Sequence, residues 1–277
     1  MTDLLLHPFV ENALREDLRS GDITTDALIP AALRGVAAMN VRAPGVVCGL
    51  NLAQSAFRTL DASAQIEILA EEGQKVSAGT TVLRVEATGR ALLSAERVAL
   101  NFAQRLSGIA TLTSQFVEAV AGTGAVIADT RKTTPGLRLL EKYAVRCGGG
   151  SNHRFALDDL ILIKDNHIAL CGGISQAVER ARHSIGHAVK IEVECDTLQQ
   201  VEEAVAARAD ILLLDNMGPD ILKQAVAIIG GRALAEASGG VNLRSVRAIA
   251  ESGVDLISVG ALTHGAKSLD IGLDVEI

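Results

Sequence analysis

The chain has 277 residues, 48% of them hydrophobic and 21% charged, with a formal net charge of −7. That apolar content supports a large core and excludes a disordered chain, and the length fits one α/β barrel or two smaller domains. The acidic balance, the absence of Trp and the single Tyr argue against a nucleic-acid surface, which needs basic patches and stacking rings.

The N-terminus, MTDLLLHPFVENALREDL, starts apolar but lacks the basic stretch and long apolar core of a signal peptide. No apolar run reaches the ~20 residues needed to span a bilayer. The expectation is a soluble, cytoplasmic protein with no membrane partner. Residues 9–19 predict a short amphipathic helix, and GDITTDALIP a turn-rich connection. From Gly35 to Glu86 the pattern changes to short β segments, VAAMNVRA, QIEILAE and TTVLRVEA, with a helical stretch at Leu50–Leu60. A long helix follows from Arg90 to Leu106, where Leu93, Arg97, Leu100 and Gln104 recur at helical spacing, and a second helix from Ile109 to Val120.

After Gly124 the chain alternates. Apolar strands stand at AVIAD, LILIK, VKIEVE, ILLLD, ALAEAS and DLISVG. Helices separate most of them, such as Leu198–Ala207, Ile221–Ile229 and Leu243–Glu251. Glu194, Asp215, Ser238 and Gly260 recur at intervals of about 22 residues, a comfortable βα unit. Alternation of this kind implies a parallel sheet covered by helices. Six strands make an incomplete barrel; the alternative is an open doubly wound sheet, but no glycine fingerprint follows the first strand.

The four cysteines, Cys48, Cys147, Cys171 and Cys195, are far apart and form no CxxC pair. They are expected to be buried small hydrophobes in a reducing compartment, with no redox or metal role. His153 and His167 lack metal-ligand spacing with them, so a catalytic zinc is not expected. There is no P-loop, HExxH or GxSxG motif. The segment EEGQKVSAGTTVLRVEATG is similar to a biotinyl or lipoyl carrier hairpin, but Lys75 does not sit at a modification turn. Shared hairpin structure accounts for the likeness.

The chemistry gathers between Asp129 and His167, where Arg131, Lys132, Arg138, Lys142, Arg146, His153, Arg154, Lys164 and His167 are concentrated in an otherwise acidic protein. In a parallel α/β barrel the active site forms at the C-terminal ends of the strands. Those ends are sorted here. The first two carry Asp129-Thr130-Arg131-Lys132 and Lys164-Asp165-Asn166-His167. The third offers Glu192 and Glu194, which share a face, and the fourth Asp215-Asn216. The last two end in Ser238-Gly239-Gly240 and Ser258-Val259-Gly260. One arc is therefore cationic, the next acidic, the last small and glycine-rich. Arginines can bind carboxylates bidentately, acids can hold ribose hydroxyls or Mg²⁺, and glycines let backbone N–H groups approach a phosphate. Asp158-Asp159 precedes a strand and is expected to be a turn or cap. Arg138, Lys142 and Arg146 are expected to decorate the intervening helix.

The motifs EDLRSGDITTD, ERVALNFAQRLSGIAT, DTRKTTPGLRLLEKYAVRCGGGSNHR, LIKDNH, IEVE, LLLDN, ASGGV and ISVGALTH, in this order over nearly the whole chain, resemble the quinolinate phosphoribosyltransferase family. The resemblance implies an α/β fold with an N-terminal α/β sandwich domain (1–107), an incomplete parallel (β/α) barrel (108–265) and a tail (266–277) packing back on the first domain. It implies phosphoribosyl transfer from 5-phosphoribosyl 1-diphosphate to quinolinate with decarboxylation, giving nicotinate mononucleotide, pyrophosphate and CO₂. A paralogue acting on a different base is the alternative, which the intact Arg131, His153, Arg154 set disfavours. The implied cofactor is Mg²⁺, and the implied assembly a homodimer or dimer-based oligomer with a shared site. By the same resemblance, Arg131, His153 and Arg154, with Arg97 from the partner, hold quinolinate. Lys132 and Lys164 face quinolinate or the leaving pyrophosphate. Glu194 and Asp215 position ribose hydroxyls and metal, directly or through water. Lys132, Lys164, Glu194 and Asp215 are the implied catalytic residues. Thr130, Ala237, Ser238, Gly239, Ser258, Val259 and Gly260 complete the substrate contacts, chiefly to the 5-phosphate.

Overall fold

The computed structural model describes residues 2–276. In chain order its elements begin α1 (Asp3–Leu18), α2 (Ile23–Leu28), β1 (Arg34–Val41), β2 (Gly45–Val46), α3 (Leu50–Leu60), β3 (Gln65–Ile68), β4 (Lys75–Val76), β5 (Thr81–Thr88) and α4 (Gly89–Ala119). They continue β6 (Val126–Ala128), α5 (Arg138–Cys147), β7 (Ile161–Ile163), α6 (Asp165–Cys171), α7 (Ile174–Ser184), β8 (Ile191–Cys195), α8 (Leu198–Ala206), β9 (Ile211–Asp215) and α9 (Pro219–Ile229). The chain closes with β10 (Leu234–Ser238), α10 (Val246–Ala250), β11 (Leu256–Ser258), α11 (Ala261–His264) and β12 (Ile271–Glu276). Two compact units result. One comprises residues up to Leu112, Arg146–Gly148 and the tail from Ala266; the other comprises Thr113–Val145 and Gly149–Gly265.

The first unit is an antiparallel sheet, in the order β12-β1-β5-β3, with helices against it. β5 buries Val82, Leu83, Val85 and Ala87, and α3 presents Leu52, Ala53, Ala56 and Phe57 toward it. Each large side chain so buried stabilises the fold by roughly 1.5–3 kcal/mol. The tail strand β12 pairs with β1 from Val41↔Ile271 to Val36↔Glu276.

Three local expectations need correction. The first helix spans Asp3–Leu18, not 9–19. The stretch GDITTDALIP contains α2, started by Asp22, whose carboxylate accepts the Thr25 N–H at 3.0 Å. The two helices expected on either side of residues 107–108 are one, α4, of 31 residues. Gly108 does not break it. A Cβ there would lie 2.0 Å from the Lys267 carbonyl oxygen, so the glycine admits the returning tail.

The second unit is a six-stranded parallel sheet in the order β6-β11-β10-β9-β8-β7. Its edges, β6 and β7, are not paired with each other among the described residues, so the barrel is incomplete. β9 is apolar on both faces, with Ile211 to Leu214 all buried, as a helix-covered parallel sheet requires. The covering helices start where local chemistry says they should. Thr197 and Gln200 form a capping box at α8, and Pro219 opens α9. Leu243 and Arg244 fall in a turn, so α10 is shorter than the expected Leu243–Glu251. No helix of the described residues is long and apolar enough to cross a membrane. Because the strands are parallel, all six end on one rim, which gathers Asp129, Lys164, Glu194, Asp215, Ser238 and Ser258 on that side.

Candidate active site

The cationic wall is set from below by a buried ion pair. Asp129 follows β6 and is fully buried. Its carboxylate accepts from the Lys142 ammonium, from Asn152 Nδ2 at 2.6 Å and from the His153 N–H at 2.9 Å. Lys142 also donates to the His153 carbonyl at 2.9 Å. Lys142 therefore does not decorate its helix; it is wholly buried and staples α5 and the 152–154 segment to the end of β6. Burial pushes the Asp129 carboxyl up and the Lys142 amine down, while their mutual pairing pulls each back toward its charged form. Arg138 is half-buried and donates to Thr133 Oγ1 at 3.1 Å and the Phe155 carbonyl at 2.8 Å. Arg146 alone of the three is an exposed helix residue. Asp159 accepts the Phe155 N–H, the turn role expected for the Asp158-Asp159 pair.

Above this staple opens a pocket of about 440 Å³. Its lining follows strand periodicity. Leu162 and Lys164, Leu213 and Asp215, and Glu236 and Ser238 are i, i+2 pairs on single strands or their ends, so each strand contributes an inner and an outer residue. Thr130, Arg131, Lys132, His153, Arg154, Glu194 and Ser258 complete it. Ten positions expected from the sequence thus share one cavity with Leu162, Leu213 and Glu236, which were not expected. The signal for all three was the same alternation that paired Glu192 with Glu194.

Two guanidiniums line the same pocket, near enough for their charges to repel. Burial and then the positive charge of Arg131 hold Arg154 below the ordinary arginine range. Arg131 is half-buried, and its Nε is buried with no hydrogen-bond partner. An orphaned donor beside a second cation is what an anion would satisfy. Lys164 Nζ sits 2.7 Å from Glu194 Oε2, coupling the cationic arc to the acidic one. Asp215 Oδ2 accepts from Asn216 Nδ2 at 2.6 Å. His167 accepts the Lys164 N–H at 2.9 Å and so caps α6 rather than entering the pocket.

His153 and Glu236 line the pocket floor, and Glu192 lies behind them. His153 Nε2 lies 3.2 Å from Glu192 Oε2 and 3.5 Å from Glu236 Oε1. Both acids are buried, and these two oxygens have no hydrogen-bond partner. His153 Nδ1 accepts the Arg154 N–H at 2.8 Å, so both ring nitrogens already face protein groups. Burial lowers the imidazole, but Glu192 and Glu236 outweigh it and the net shift is upward. Glu236 is pushed up to about 7, by burial first and then by Glu192, with His153 and Ser258 pulling down. Burial and the neighbouring acid thus favour the proton on Glu236, while the two acids favour the charged form of His153.

The glycine-rich arc is shaped by close approach. Gly239 has φ +93°, and a Cβ there would sit 2.2 Å from Asn216 Oδ1. The Asn216 N–H in turn donates to the Ser238 carbonyl at 2.9 Å. Ser238 and Ser258 line the cavity. Ala237, Gly239, Val259 and Gly260 are not among its lining residues; Ala237 and Val259 are buried, and the Val259 N–H donates to the Ala128 carbonyl at 2.9 Å. Arg97 is exposed on α4 and belongs to the first unit.

The Glu236 environment has a measurable consequence. The folded chain holds this proton more tightly than the unfolded one, whose carboxyl keeps the ordinary value of 4.5. Its contribution to stability is present below about 4.5 and is lost as pH rises through about 7. Glu236→Gln should therefore gain in melting temperature relative to the wild type between about pH 5 and about pH 8. An unchanged difference across that range would contradict the assignment.

Comparison with known proteins bears on the whole chain. Residues 22–107 match the model of the quinolinate phosphoribosyl transferase N-terminal domain, and residues 109–274 that of its C-terminal domain. The nicotinate-nucleotide pyrophosphorylase (carboxylating) of Mycobacterium leprae is 43% identical over 272 residues, covering 96% of this chain and 95% of that protein. A Bacillus subtilis protein named as a probable enzyme of the same kind is 43% identical over 277 residues, covering 100% and 96%. The crystal structure of nicotinate-nucleotide pyrophosphorylase from Ehrlichia chaffeensis is 45% identical, with a TM-score of 0.93 and coverage of 97% and 98%. That from Francisella tularensis is 40% identical, with a TM-score of 0.96 and coverage of 100% and 98%. With both domain models matched in order and full-length relatives of such high identity, the chain belongs to the quinolinate phosphoribosyltransferase family.

Proposed function

We propose that the chain transfers the phosphoribosyl group of 5-phosphoribosyl 1-diphosphate to quinolinate with loss of CO₂, the reaction of the family to which it belongs, in NAD biosynthesis. The observation that carries this reading is the pair Arg131 and Arg154, mutually repelling cations with an orphaned Nε, in a cavity whose other wall is acidic. A pyridine dicarboxylate supplies the two negative charges that such a pair lacks. Arg97 of the partner subunit would add a third guanidinium, in a homodimer or dimer-based oligomer working in the cytoplasm. His153, with both ring nitrogens engaged, would act on quinolinate through the positive charge that Glu192 and Glu236 favour on its ring.

Lys132 and Lys164 would hold the leaving pyrophosphate, and Thr130, Ser238 and Ser258, with the backbone of Ala237, Gly239, Val259 and Gly260, the 5-phosphate end. As pyrophosphate departs, ribose C1 becomes cationic and the pyridine nitrogen attacks it. Glu194 and Asp215 favour that charge. The bond from the ring to the adjacent carboxylate then breaks, CO₂ leaves, and the electron pair left on that ring carbon, stabilised by the neighbouring ring cation, takes a proton from solvent. Holding both reactants in one geometry supplies much of the acceleration.

The donor set fits Mg²⁺. Glu194 and Asp215 stand at the ends of neighbouring strands and offer only hard oxygens, and Lys164 occupies one oxygen of Glu194 while leaving the other. When bound, the ion would neutralise charge on the pyrophosphate. Glu194 and Asp215 would hold it directly or through water.

With quinolinate, phosphoribosyl diphosphate and Mg²⁺, purified protein should release CO₂ and pyrophosphate in equal amounts, with nicotinate a poor substitute because it leaves one guanidinium unpaired. Turnover with another base and none with quinolinate would overturn the assignment. For the shared site, Arg97→Ala and Lys164→Ala should each be inactive alone and regain activity when mixed. No recovery after verified subunit exchange would contradict it.

A further inference from the structure

Two of the four cysteines meet, outside the pocket and against the expectation that all are inert core residues. Cys48 lies between β2 and α3, Glu72 between β3 and β4, and Cys147 ends α5; all three belong to the first unit. The two sulfurs and a carboxylate oxygen lie within 4.8 Å of one another. Neither cysteine is in a disulfide; Cys48 is buried and Cys147 partly exposed.

Hydrogen bonds hold the Cys48 and Glu72 loops in place. Val47 N–H donates to the Gln74 carbonyl at 3.0 Å and Gly73 N–H to the Val47 carbonyl at 2.8 Å, tying the two loops together. Ser107, fully buried on α4, accepts the Cys48 N–H at 2.9 Å and donates to the Cys48 carbonyl at 3.0 Å. Glu72 accepts the Gly49 N–H at 2.8 Å and the Asn51 N–H at 3.4 Å, which orients the carboxylate and leaves lone pairs free on it. Gly73, at φ +88°, lets the loop reach the end of α5, where a Cβ would sit 2.9 Å from the Cys147 carbonyl. Hydrogen bonds that hold the donors from behind in this way are what fix metal ligands in place.

Capping α3 accounts for Glu72 alone, and a disulfide would use only the two sulfurs. We propose that Cys48, Cys147 and Glu72 form a zinc-binding site. Two thiolates exclude Mg²⁺ and Ca²⁺, and the carboxylate suits a borderline ion such as Zn²⁺. Both thiols give their protons to solvent on binding, and no redox change is involved. Glu72 also lines a cleft of about 940 Å³ with Asn51 and Gly73, from which water would complete the coordination. The Cys48 thiol is pushed up, by burial first and then by Cys147 and Glu72. Bound zinc would cross-link three segments that are distant in sequence.

The test uses the full-length chain, reduced, stripped with a chelator and titrated with Co²⁺. A near-ultraviolet thiolate-to-cobalt charge-transfer band should saturate at one equivalent and be displaced by Zn²⁺. The pocket cluster of His153, Glu192 and Glu236 has no sulfur and cannot produce that band. Cys147→Ser should abolish it, and Glu72→Gln should weaken zinc binding by at least about tenfold. On the unaltered chain, stoichiometric Zn²⁺ should protect two thiols from alkylation, mapped to positions 48 and 147. Absence of the band, its persistence in folded Cys147→Ser, or protection at other cysteines would overturn the proposal.

Discussion

The site depends on an ion pair that no solvent reaches. Asp129 and Lys142 are both completely buried, where desolvating two charges costs several kcal/mol per ion before their attraction offsets it. Such a pair is weak evidence for stability. Its value here is positional. Asp129 accepts the His153 N–H and Lys142 donates to the His153 carbonyl, so one residue is gripped at both ends. Arg154 follows directly, and its N–H is held by the His153 ring. With β6 followed by Asp129 and Arg131 two residues on, the same staple sets the spacing of the two guanidiniums.

Charge in the cavity is arranged in depth as well as around the rim. The outer residues of the i, i+2 pairs are ionic or hydroxylic: Lys164, Glu194, Asp215 and Ser238. The inner ones are Leu162, Leu213 and Glu236, with Glu192 buried behind the lining against His153. Two leucines and two buried acids form a floor of low dielectric, which strengthens every charge above it. This is how a chain of net charge −7 can hold a polyanion: the attraction is local and the overall field is opposed to it. The acids of the floor oppose the arginines less than their number suggests, because burial and Glu192 push Glu236 up to about 7.

Strand number, parallel pairing and the sorting of the rim were legible because each rests on local periodicity. Apolar runs with βα spacing imply a helix-covered parallel sheet, and parallel strands must end together. What escaped had its cause in distant contacts. Lys142 reads as a solvated helix residue because its partner is thirteen residues away and the burial of a lysine has no local signature. Gly108 reads as a helix break because the chain that passes over it comes from Lys267. Glu236 sits in the middle of LAEAS, where an acid reads as an interruption; only its phase with Ser238 marks it as inward-facing. Cys48 and Cys147 share no motif spacing, and only the folded loops bring them together.

The central claim is that the Asp129–Lys142 pair aims the cations proposed to bind quinolinate. Steady-state kinetics of Lys142→Met, checked by circular dichroism to be folded, tests it most directly. Loss of the staple should let Arg154 drift, and a misplacement of this order costs about 100-fold in turnover efficiency with quinolinate. Wild-type kinetics toward quinolinate in the folded variant would show that the pair serves stability alone and would contradict the account.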